Sequence, residues 1–400
     1  MDEGVMKTYA RADEVFVDGH GARLIDSTGR EFLDFLAGIA VSALGHGHQG
    51  LASSLRDQVG KVVHLSNLFR HPYTEQVATR LCAHAGMAAA FFTNSGTEAM
   101  ECALKLARKA MHVRGEKHRT SFVAVEGGFH GRTMGALSLT WSEKYRKPFA
   151  PLMDVTWVPP DDVQALERAV AEKQPCAVVY EPIQGEGGIR ALAPAVLRAA
   201  RDLCTRTGTV LVHDEVQCGC GRTGTFLAAQ QVGVQPDVVV LAKPIAAGLP
   251  MGACLANAAF ADTFEKGEHG STFAGGPLVC RAALVFLDEL DRGLLANVQA
   301  RGEELRAGLV AIGRELPIVR EVRGTGLMLG LRLWHSATEF QKALYKAGVI
   351  TNCTAGDVIR IVPPFVITSA EIAQGLRIMQ QTLATFPQTR ELGAAVSPKS

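Results

Sequence analysis

The chain lacks the features that mark nucleic-acid-binding and disulfide-rich proteins. It carries 41 Lys and Arg against 40 Asp and Glu, a formal charge of +1, so it has no basic surplus for contacts with nucleic-acid phosphates. Its nine cysteines are scattered, odd in number and without a C-x-x-C pair, which argues against a disulfide framework and a zinc knuckle. We therefore expect reduced thiols, a cytoplasmic location and small charged metabolites as partners.

Long apolar segments are missing as well. The first residues, MDEGVMKTYARADEV, contain no apolar stretch of the signal-peptide kind. The longest uncharged run, 244–261, is rich in Ala, Gly and Pro, so we expect no membrane span and no membrane partner. The last ten residues have the composition of a frayed tail, and no internal repeat is found. A chain of 400 residues predicts one large domain with one or two smaller ones.

Periodic patterns divide the chain into three parts. Residues 15–36 alternate apolar and polar positions around two turns, which predicts a small antiparallel meander. Short β-rich runs then alternate with helical patterns, which predicts an α/β fold with a mostly parallel sheet covered on both faces. The runs are 89–94, 121–127, 153–159, 176–183, 209–216, 237–243 and 252–257, with helices at 98–114, 161–173 and 194–207. Residues after Pro277 predict a second, α+β unit, with helices at 277–290, 295–313 and 370–384 and strands near 318–333 and 358–362. We place the boundaries at 1–60 for an N-terminal segment, 61–276 for a large domain and 277–400 for a small domain.

A glycine motif, GCGRTG at 219–224, follows the apolar run 210–212 and matches G-x-G-x-x-G. That spelling is typical of dinucleotide-binding turns, which also need an acidic residue about twenty positions further on to bind the ribose. Asp237, the nearest acid, stands only 13 positions beyond Gly224. A dinucleotide-dependent oxidoreductase is therefore one alternative for this chain, with weak support.

A second turn has the chemistry of a phosphate site. Ser95, Gly96 and Thr97 follow a predicted strand and open an amphipathic helix, and the free N–H groups of a helix start can hold a phosphate. A well-capped helix with no ligand would show the same pattern. No Walker lysine is present, which excludes a P-loop.

Two charged residues end predicted buried strands. Asp214 ends TVLVHD and Lys243 ends PDVVVLAK, and ligands of open α/β sheets bind at that edge. A buried ammonium is costly unless it is paired or used covalently, although a lysine there could also extend to the surface. Lysine can form a Schiff base with pyridoxal phosphate, aspartate can keep the pyridine nitrogen protonated and the helix start can hold the phosphate, so the three parts fit one cofactor.

Other polar clusters predict no metal site. His46 and His48 lie in a glycine-rich segment without further ligands nearby, and Cys218 and Cys220 offer too few ligands from one loop. His213 and Glu215 should face away from Asp214 on a strand of period two, so the three are not a triad.

The longer motifs resemble the class III pyridoxal-phosphate aminotransferases of fold type I, and among them the acetylornithine aminotransferase group. The resemblance covers nearly the whole chain, and its motifs stand in the family's order: AGIAVSALGHGH (37–48), NSGTEAMECALKLARK (94–109), FHGRT (129–133), EPIQGEGG (181–188), DEVQCGCGRTG (214–224), GVQPDVVVLAK (233–243) and STFAGGP (271–277). It implies a large domain with a mostly parallel seven-stranded sheet, a small α+β domain and an N-terminal segment that contributes to the small domain and the dimer contact.

For the cofactor, the resemblance implies that Lys243 forms the Schiff base with pyridoxal phosphate and shuttles the proton. Asp214 would pair with the pyridine nitrogen, Gln217 would bind the ring hydroxyl and Phe129 would stack on the ring. The phosphate would be held by Ser95, Gly96 and Thr97, and by Thr272 from a neighbouring subunit. A homodimer with shared active sites follows from that last contact.

For the substrates, the resemblance implies N-acetylornithine as amino donor and 2-oxoglutarate as acceptor. Arg132 would bind the α-carboxylate, and Glu186 would cover Arg360 in the first half-reaction and release it in the second. Asn67 and Ser271 would complete the substrate site. Sister transaminases for ornithine, succinylornithine, 4-aminobutyrate or a lysine-pathway substrate remain open, as does a catalytically inactive binding protein. The sequence departs from the family pattern at 244–248, PIAAG, and at Gly276, where asparagine is usual.

Overall fold

The computed structural model describes residues 4–389. Its strands are β1 (Phe16–His20), β2 (Arg23–Asp26), β3 (Glu31–Asp34), β4 (Ala89–Thr93), β5 (Phe122–Val125), β6 (Val155–Val158), β7 (Ala177–Tyr180), β8 (Ile183–Gln184), β9 (Arg190–Ala191), β10 (Val210–Asp214), β11 (Val238–Leu241), β12 (Gly252–Ala256), β13 (Val319–Thr325), β14 (Met328–Leu333), β15 (Val349–Ile350), β16 (Asn352–Thr354) and β17 (Val358–Ile361). Its α-helices are α1 (Ala37–Ala40, a turn with left-handed backbone), α2 (Gln49–Val59), α3 (Thr74–Ala85), α4 (Gly96–Val113), α5 (Met134–Leu139), α6 (Glu143–Arg146), α7 (Val163–Lys173), α8 (Pro194–Thr207), α9 (Pro277–Glu289), α10 (Leu295–Glu315), α11 (Thr338–Lys346) and α12 (Ser369–Ala384). Short 3-10 turns lie at 147–149, 228–232 and 243–246, and a π-helical segment at 290–294 joins α9 to α10.

The central sheet has seven strands in the order β4-β12-β11-β10-β7-β5-β6. Strands β11, β10, β7, β5 and β6 run parallel to one another, and β12 runs antiparallel between β4 and β11. The parallel strands are almost uniformly apolar and buried, as expected when helices cover both faces of a sheet. All seven predicted β-rich runs are therefore strands of one mostly parallel sheet, which confirms the predicted fold class.

Alternate residues of the strands face two separate layers of helices. Val210 and Val212 pack in one apolar cluster with α4 residues such as Leu104. Leu211 packs in another cluster with Leu197 of α8. This alternation is the period of two of a strand buried on both sides, and it leaves the carboxyl edge of the sheet as the place where polar side chains meet.

The N-terminal meander and the C-terminal part of the chain form smaller sheets. Strand β15 adds in parallel to β3, and β13, β14, β17 and β16 form a separate antiparallel sheet. The predicted helices at 277–290, 295–313 and 370–384 are present, whereas α1, α2, α3, α5, α6 and α11 were not predicted. The pairing of β15 with β3 joins the N-terminal segment to the C-terminal part, while the boundaries at 60 and 276 remain predictions.

No helix among residues 4–389 is both long enough and apolar enough to cross a membrane.

Candidate active site

A cavity of about 390 Å³ lies at the carboxyl edge of the central sheet. Its walls come from the segments that follow β4, β5, β7, β10 and β11, together with the start of β12. Seven of the eight residues predicted for the cofactor line it, and so does Arg132, which was predicted for the substrate. The seven are Ser95, Gly96, Thr97, Phe129, Asp214, Gln217 and Lys243, whereas Thr272 does not line the cavity.

Lys243 stands directly after β11 in a 3-10 turn, with a left-handed φ of 46°. Its side chain is half-buried, and within residues 4–389 its amine makes no hydrogen bond or ion pair. Burial lowers the pKa of Lys243, an effect that the Asp214 carboxylate opposes and the Arg360 guanidinium reinforces. The amine is thereby shifted towards its neutral, nucleophilic form.

Asp214 ends β10 and is buried beside His130. Its Oδ2 lies 2.8 Å from His130 Nδ1, and its Oδ1 accepts a hydrogen bond of 3.1 Å from Val216 N–H. Burial by itself would lower the pKa of His130, but Asp214 and Glu181 outweigh it and raise that pKa. The pair places an imidazole of raised pKa behind the carboxylate that faces the cavity.

Glu181 follows β7 at the same edge of the sheet. Its carboxylate accepts hydrogen bonds from the N–H groups of Phe129, at 2.9 Å, and Gly185, at 3.0 Å. Burial, and secondarily the Asp214 charge, raise the pKa of Glu181 to about 7. We did not predict His130 or Glu181 from the sequence, although Glu181 ends a buried strand as Asp214 and Lys243 do.

The predicted phosphate turn has the geometry of a helix start. Ser95 is the N-cap of α4, and its Oγ accepts a hydrogen bond from Glu98 N–H at 3.3 Å. The N–H groups of Gly96 and Thr97 belong to the first turn, where no intrahelical acceptor exists. A side chain at position 96 would place its Cβ 2.8 Å from Val216 Cγ1, so the close backbone approach requires glycine.

Arg360 and Glu186 form the predicted pair. Arg360, on β17, is 1% exposed, and its Nη1 lies 2.5 Å from Glu186 Oε1 and 3.1 Å from Gln217 Oε1. Its Nε donates to Asn352 Oδ1 at 3.0 Å. The Glu186 side chain is 38% exposed, so a buried cation meets a carboxylate that can turn towards solvent.

Arg132 lies at the mouth of the cavity with its side chain exposed. Its backbone N–H donates to Thr97 Oγ1 at 3.2 Å, which ties it to the phosphate turn. The guanidinium carbon lies 3.7 Å from the centre of the Tyr145 ring and 5.7 Å from that of Phe129.

Three predicted residues do not line the cavity: Asn67, Ser271 and Thr272. Asn67 Nδ2 donates to the carbonyl oxygen of Ser271 at 3.0 Å, and Ser271 Oγ accepts from Asn94 Nδ2 at 3.1 Å. Thr272 is exposed. Asn94 is the member of this group that reaches the cavity wall.

The glycine motif at 219–224 is a turn and no phosphate cradle. Gly221 and Gly224 have φ values of 92° and 95°, and the buried Arg222 between them donates to the carbonyl oxygen of Leu327 at 3.1 Å. None of the six residues lines the cavity. The dinucleotide alternative therefore loses its structural basis.

His46 and His48, which the sequence offered as possible metal ligands, contact other residues of the chain. His46 lies 2.8 Å from Asp34, and His48 caps α2 by accepting from Leu51 N–H at 3.1 Å. Across residues 4–389, no group of three or more His, Cys, Asp or Glu side chains is arranged to hold a metal ion.

The side chains at this edge fit pyridoxal phosphate. An unpaired, half-buried lysine faces a buried carboxylate, an aromatic ring stands beside them, and a helix start with free N–H groups borders the same cavity. Together with the seven-stranded sheet, this arrangement defines a pyridoxal-phosphate enzyme of fold type I.

Comparison with known proteins gives the family. The model of the class-III aminotransferases matches residues 8–383. An acetylornithine aminotransferase of Methanosarcina mazei is 41% identical over 94% of this chain and 93% of its own length, and a mitochondrial acetylornithine aminotransferase of Alnus glutinosa is 43% identical over 94% of this chain and 85% of its own length. The chain belongs to the class-III aminotransferases and is a pyridoxal-phosphate-dependent enzyme.

Solved structures agree with this assignment. The N-acetylornithine aminotransferase of Stenotrophomonas maltophilia is 35% identical, with a TM-score of 0.83 over 94% of this chain and 97% of its own. The ornithine aminotransferase of Toxoplasma gondii, whose active site is partially occupied by pyridoxal phosphate, is 31% identical, with a TM-score of 0.90 over 95% of this chain and 92% of its own.

Proposed function

We propose that the enzyme transfers the δ-amino group of N2-acetyl-L-ornithine to 2-oxoglutarate, giving N-acetyl-L-glutamate 5-semialdehyde and L-glutamate, a step of arginine biosynthesis. The identity of 41% to 43% with acetylornithine aminotransferases over nearly the whole chain supports this choice of substrates. The observation that carries it is the Glu186–Arg360 pair, whose Arg360 contacts Gln217 in the cavity wall, because the two substrates present different groups to the same place.

The cofactor would be held by the residues that line the first cavity. Lys243 would bind it covalently, Asp214 would face the ring nitrogen, Gln217 the ring hydroxyl and Phe129 one ring face. Ser95, Gly96 and Thr97 would bind the phosphate. When bound, pyridoxal phosphate supplies an aldehyde that takes up an amino group and a ring that holds the electron pair released at the reacting carbon.

Lys243 would then act as the base of the reaction. Its lowered pKa favours a neutral amine, which can accept the proton from Cδ of the donor and deliver it again. Asp214 and His130 would keep a negative charge, balanced from behind, against the ring nitrogen. Sodium borohydride should therefore bleach the yellow holoenzyme irreversibly, and Lys243→Ala should lack that reaction.

Arg360 and Glu186 would let one site bind two substrates that present different groups, a side-chain amine in the donor and an α-keto acid in 2-oxoglutarate. While Glu186 covers Arg360, the site is suited to a donor that enters amine first and has no carboxylate beside that amine. When Glu186 turns away, the guanidinium can bind the carboxylate next to the keto group of 2-oxoglutarate. Arg132 would bind the α-carboxylate of N-acetylornithine at the mouth of the cavity.

A donor panel tests the proposed substrates. N-acetylornithine, N-succinylornithine, ornithine and 4-aminobutyrate are each paired with 2-oxoglutarate, and we expect the highest kcat/KM for N-acetylornithine. A higher value for 4-aminobutyrate would refute the proposal. In the same assay, Glu186→Ala should improve glutamate as a donor relative to N-acetylornithine, and an unchanged ratio would refute the role of the pair.

We further propose a homodimer, with Thr272 of one subunit completing the phosphate site of the other. Exposed apolar side chains close to Thr272 support it: Leu68 is 87% exposed, Phe69 66% and Phe273 68%. Asn67 and Ser271 would reach the substrate from this contact region.

The nine free thiols are consistent with a cytoplasmic location, and we retain the division into 1–60, 61–276 and 277–400 as a proposal.

A further inference from the structure

Arg132 is fixed at its backbone but not by polar contacts of its side chain. Within residues 4–389 its guanidinium forms no ion pair and no hydrogen bond, while its N–H is held by Thr97 Oγ1. An exposed arginine has considerable rotamer freedom, which is lost when it binds a ligand. Among the described residues, no polar contact therefore orients this side chain.

Tyr145 supplies a restraint. The guanidinium carbon of Arg132 lies 3.7 Å from the centre of the Tyr145 ring, and the same ring meets Phe129 edge-on, with centroids 6.5 Å apart and planes at 84°. A guanidinium stacked on a ring face keeps the N–H groups at its edge free for a carboxylate. One ring thus contacts both the predicted carboxylate ligand and the predicted cofactor-stacking residue.

The central sheet holds Tyr145 in place. Tyr145 belongs to the short helix α6, and the next residue, Arg146, lies 4.1 Å over the ring of Trp157 on the edge strand β6. Arg146 also donates to the carbonyl oxygen of Trp141 at 3.1 Å, and Trp141 packs edge-on against Trp157 with centroids 5.8 Å apart. These contacts anchor the segment that carries the Tyr145 ring.

Tyr145 lines a second cavity and is not part of the wall of the first. This second cavity, of about 870 Å³, shares Phe129 with the first and is lined by Trp141, Tyr145, Glu186 and Thr354, among others.

We infer that Tyr145 is a positioning residue for substrate specificity. Its ring holds Arg132 in the orientation that binds the α-carboxylate of the donor. This inference rests on the proposed function, because it assigns that carboxylate to Arg132. The hydroxyl group plays no part, since the contact is made by the ring face.

The test compares two donors that differ only in the carboxylate, N-acetylornithine and N-acetyl-1,4-diaminobutane. The ratio of their kcat/KM values should fall about tenfold in Tyr145→Leu, mainly through the KM of N-acetylornithine, and stay within about twofold of wild type in Tyr145→Phe. Tyr145→Gln, which suits a half-exposed position, is measured beside Tyr145→Leu in case the latter folds poorly. Arg132→Ala should lower the ratio further, and adding Tyr145→Leu to it should have no additional effect.

Each other outcome is informative. If Arg132→Ala lowers the ratio but Tyr145→Leu and Tyr145→Gln reduce both donors equally, the ring is merely structural and the inference is overturned. If Tyr145→Phe falls as far as Tyr145→Leu, the hydroxyl is responsible and the inference is equally wrong. If wild type does not use N-acetylornithine at all, the proposed function fails with it, which separates the two kinds of failure.

Discussion

Gly131 offers a sharp test of the candidate site because it stands between the predicted cofactor and substrate residues. Its φ of 137° is unfavourable for any residue with a side chain. A Cβ at this position would lie 2.2 Å from Thr97 Oγ1, 2.7 Å from Thr97 Cβ and 2.9 Å from Ala136 Cβ. Gly131→Ala must therefore displace Thr97, whose N–H is a proposed phosphate donor.

The free-energy cost of Gly131→Ala follows from two effects, the unfavourable backbone conformation and the close contacts of the new Cβ. The backbone conformation costs about 1 to 3 kcal/mol, and overpacking costs about as much again. The lower sum, about 2 kcal/mol, corresponds to roughly a thirtyfold change in an equilibrium constant. The shift of Thr97 also strains the hydrogen bonds that its Oγ1 accepts from the N–H groups of Arg132 and Thr133, both of 3.2 Å.

The assay is a titration of the apoprotein with pyridoxal phosphate, followed by the absorbance of the bound cofactor, together with the melting temperature of the apoprotein. We expect the Kd for the cofactor to rise at least about tenfold in Gly131→Ala. Gly60→Ala is the matched control, because Gly60 has φ −72° and the nearest atom to its Cβ would be 3.6 Å away. If Gly131→Ala bound the cofactor as tightly as wild type and melted at the same temperature, the close packing of Gly131 on Thr97 would be disproved.

Two further predictions concern stability and assembly. Burial raises the pKa of Glu215 to about 7. Between the ordinary pKa of a glutamate and pH 7, the folded protein therefore keeps a proton that the unfolded chain has released. The free energy of unfolding should fall as pH rises through that window, by as much as about 3 kcal/mol from this group. Glu215→Gln cannot ionise and should flatten the dependence of melting temperature on pH from about 5 to 8, and an unchanged slope would show that another group is responsible. Leu68→Glu should convert the proposed dimer to a monomer in light scattering coupled to gel filtration, whereas Val113→Glu, at another exposed apolar position, should not; a Leu68→Glu protein that remained dimeric would place the interface elsewhere.

Local patterns predicted the elements because their causes are local. Runs such as 238–241 are strands because apolar residues buried on both faces need no alternation, and α4 begins at Gly96 because Ser95 caps it. The rule that ligands bind at the carboxyl ends of parallel strands likewise placed Asp214 and Lys243 at one edge of the sheet from sequence alone. The GCGRTG motif matches a dinucleotide-binding pattern, but its glycines form a turn around the buried Arg222. The motif alone therefore does not identify the ligand.

Local sequence was enough to predict the seven strands of the central sheet, six of the helices, the family and the residues that could bind a cofactor, because periodicity, caps and motifs depend on neighbouring positions. The packing of the folded chain was needed to show that β12 lies antiparallel between β4 and β11, and that His130 supports Asp214 from 84 positions away. It also decided that Tyr145 lies under Arg132. These contacts depend on how distant segments pack against one another, and no short stretch of sequence carries that information.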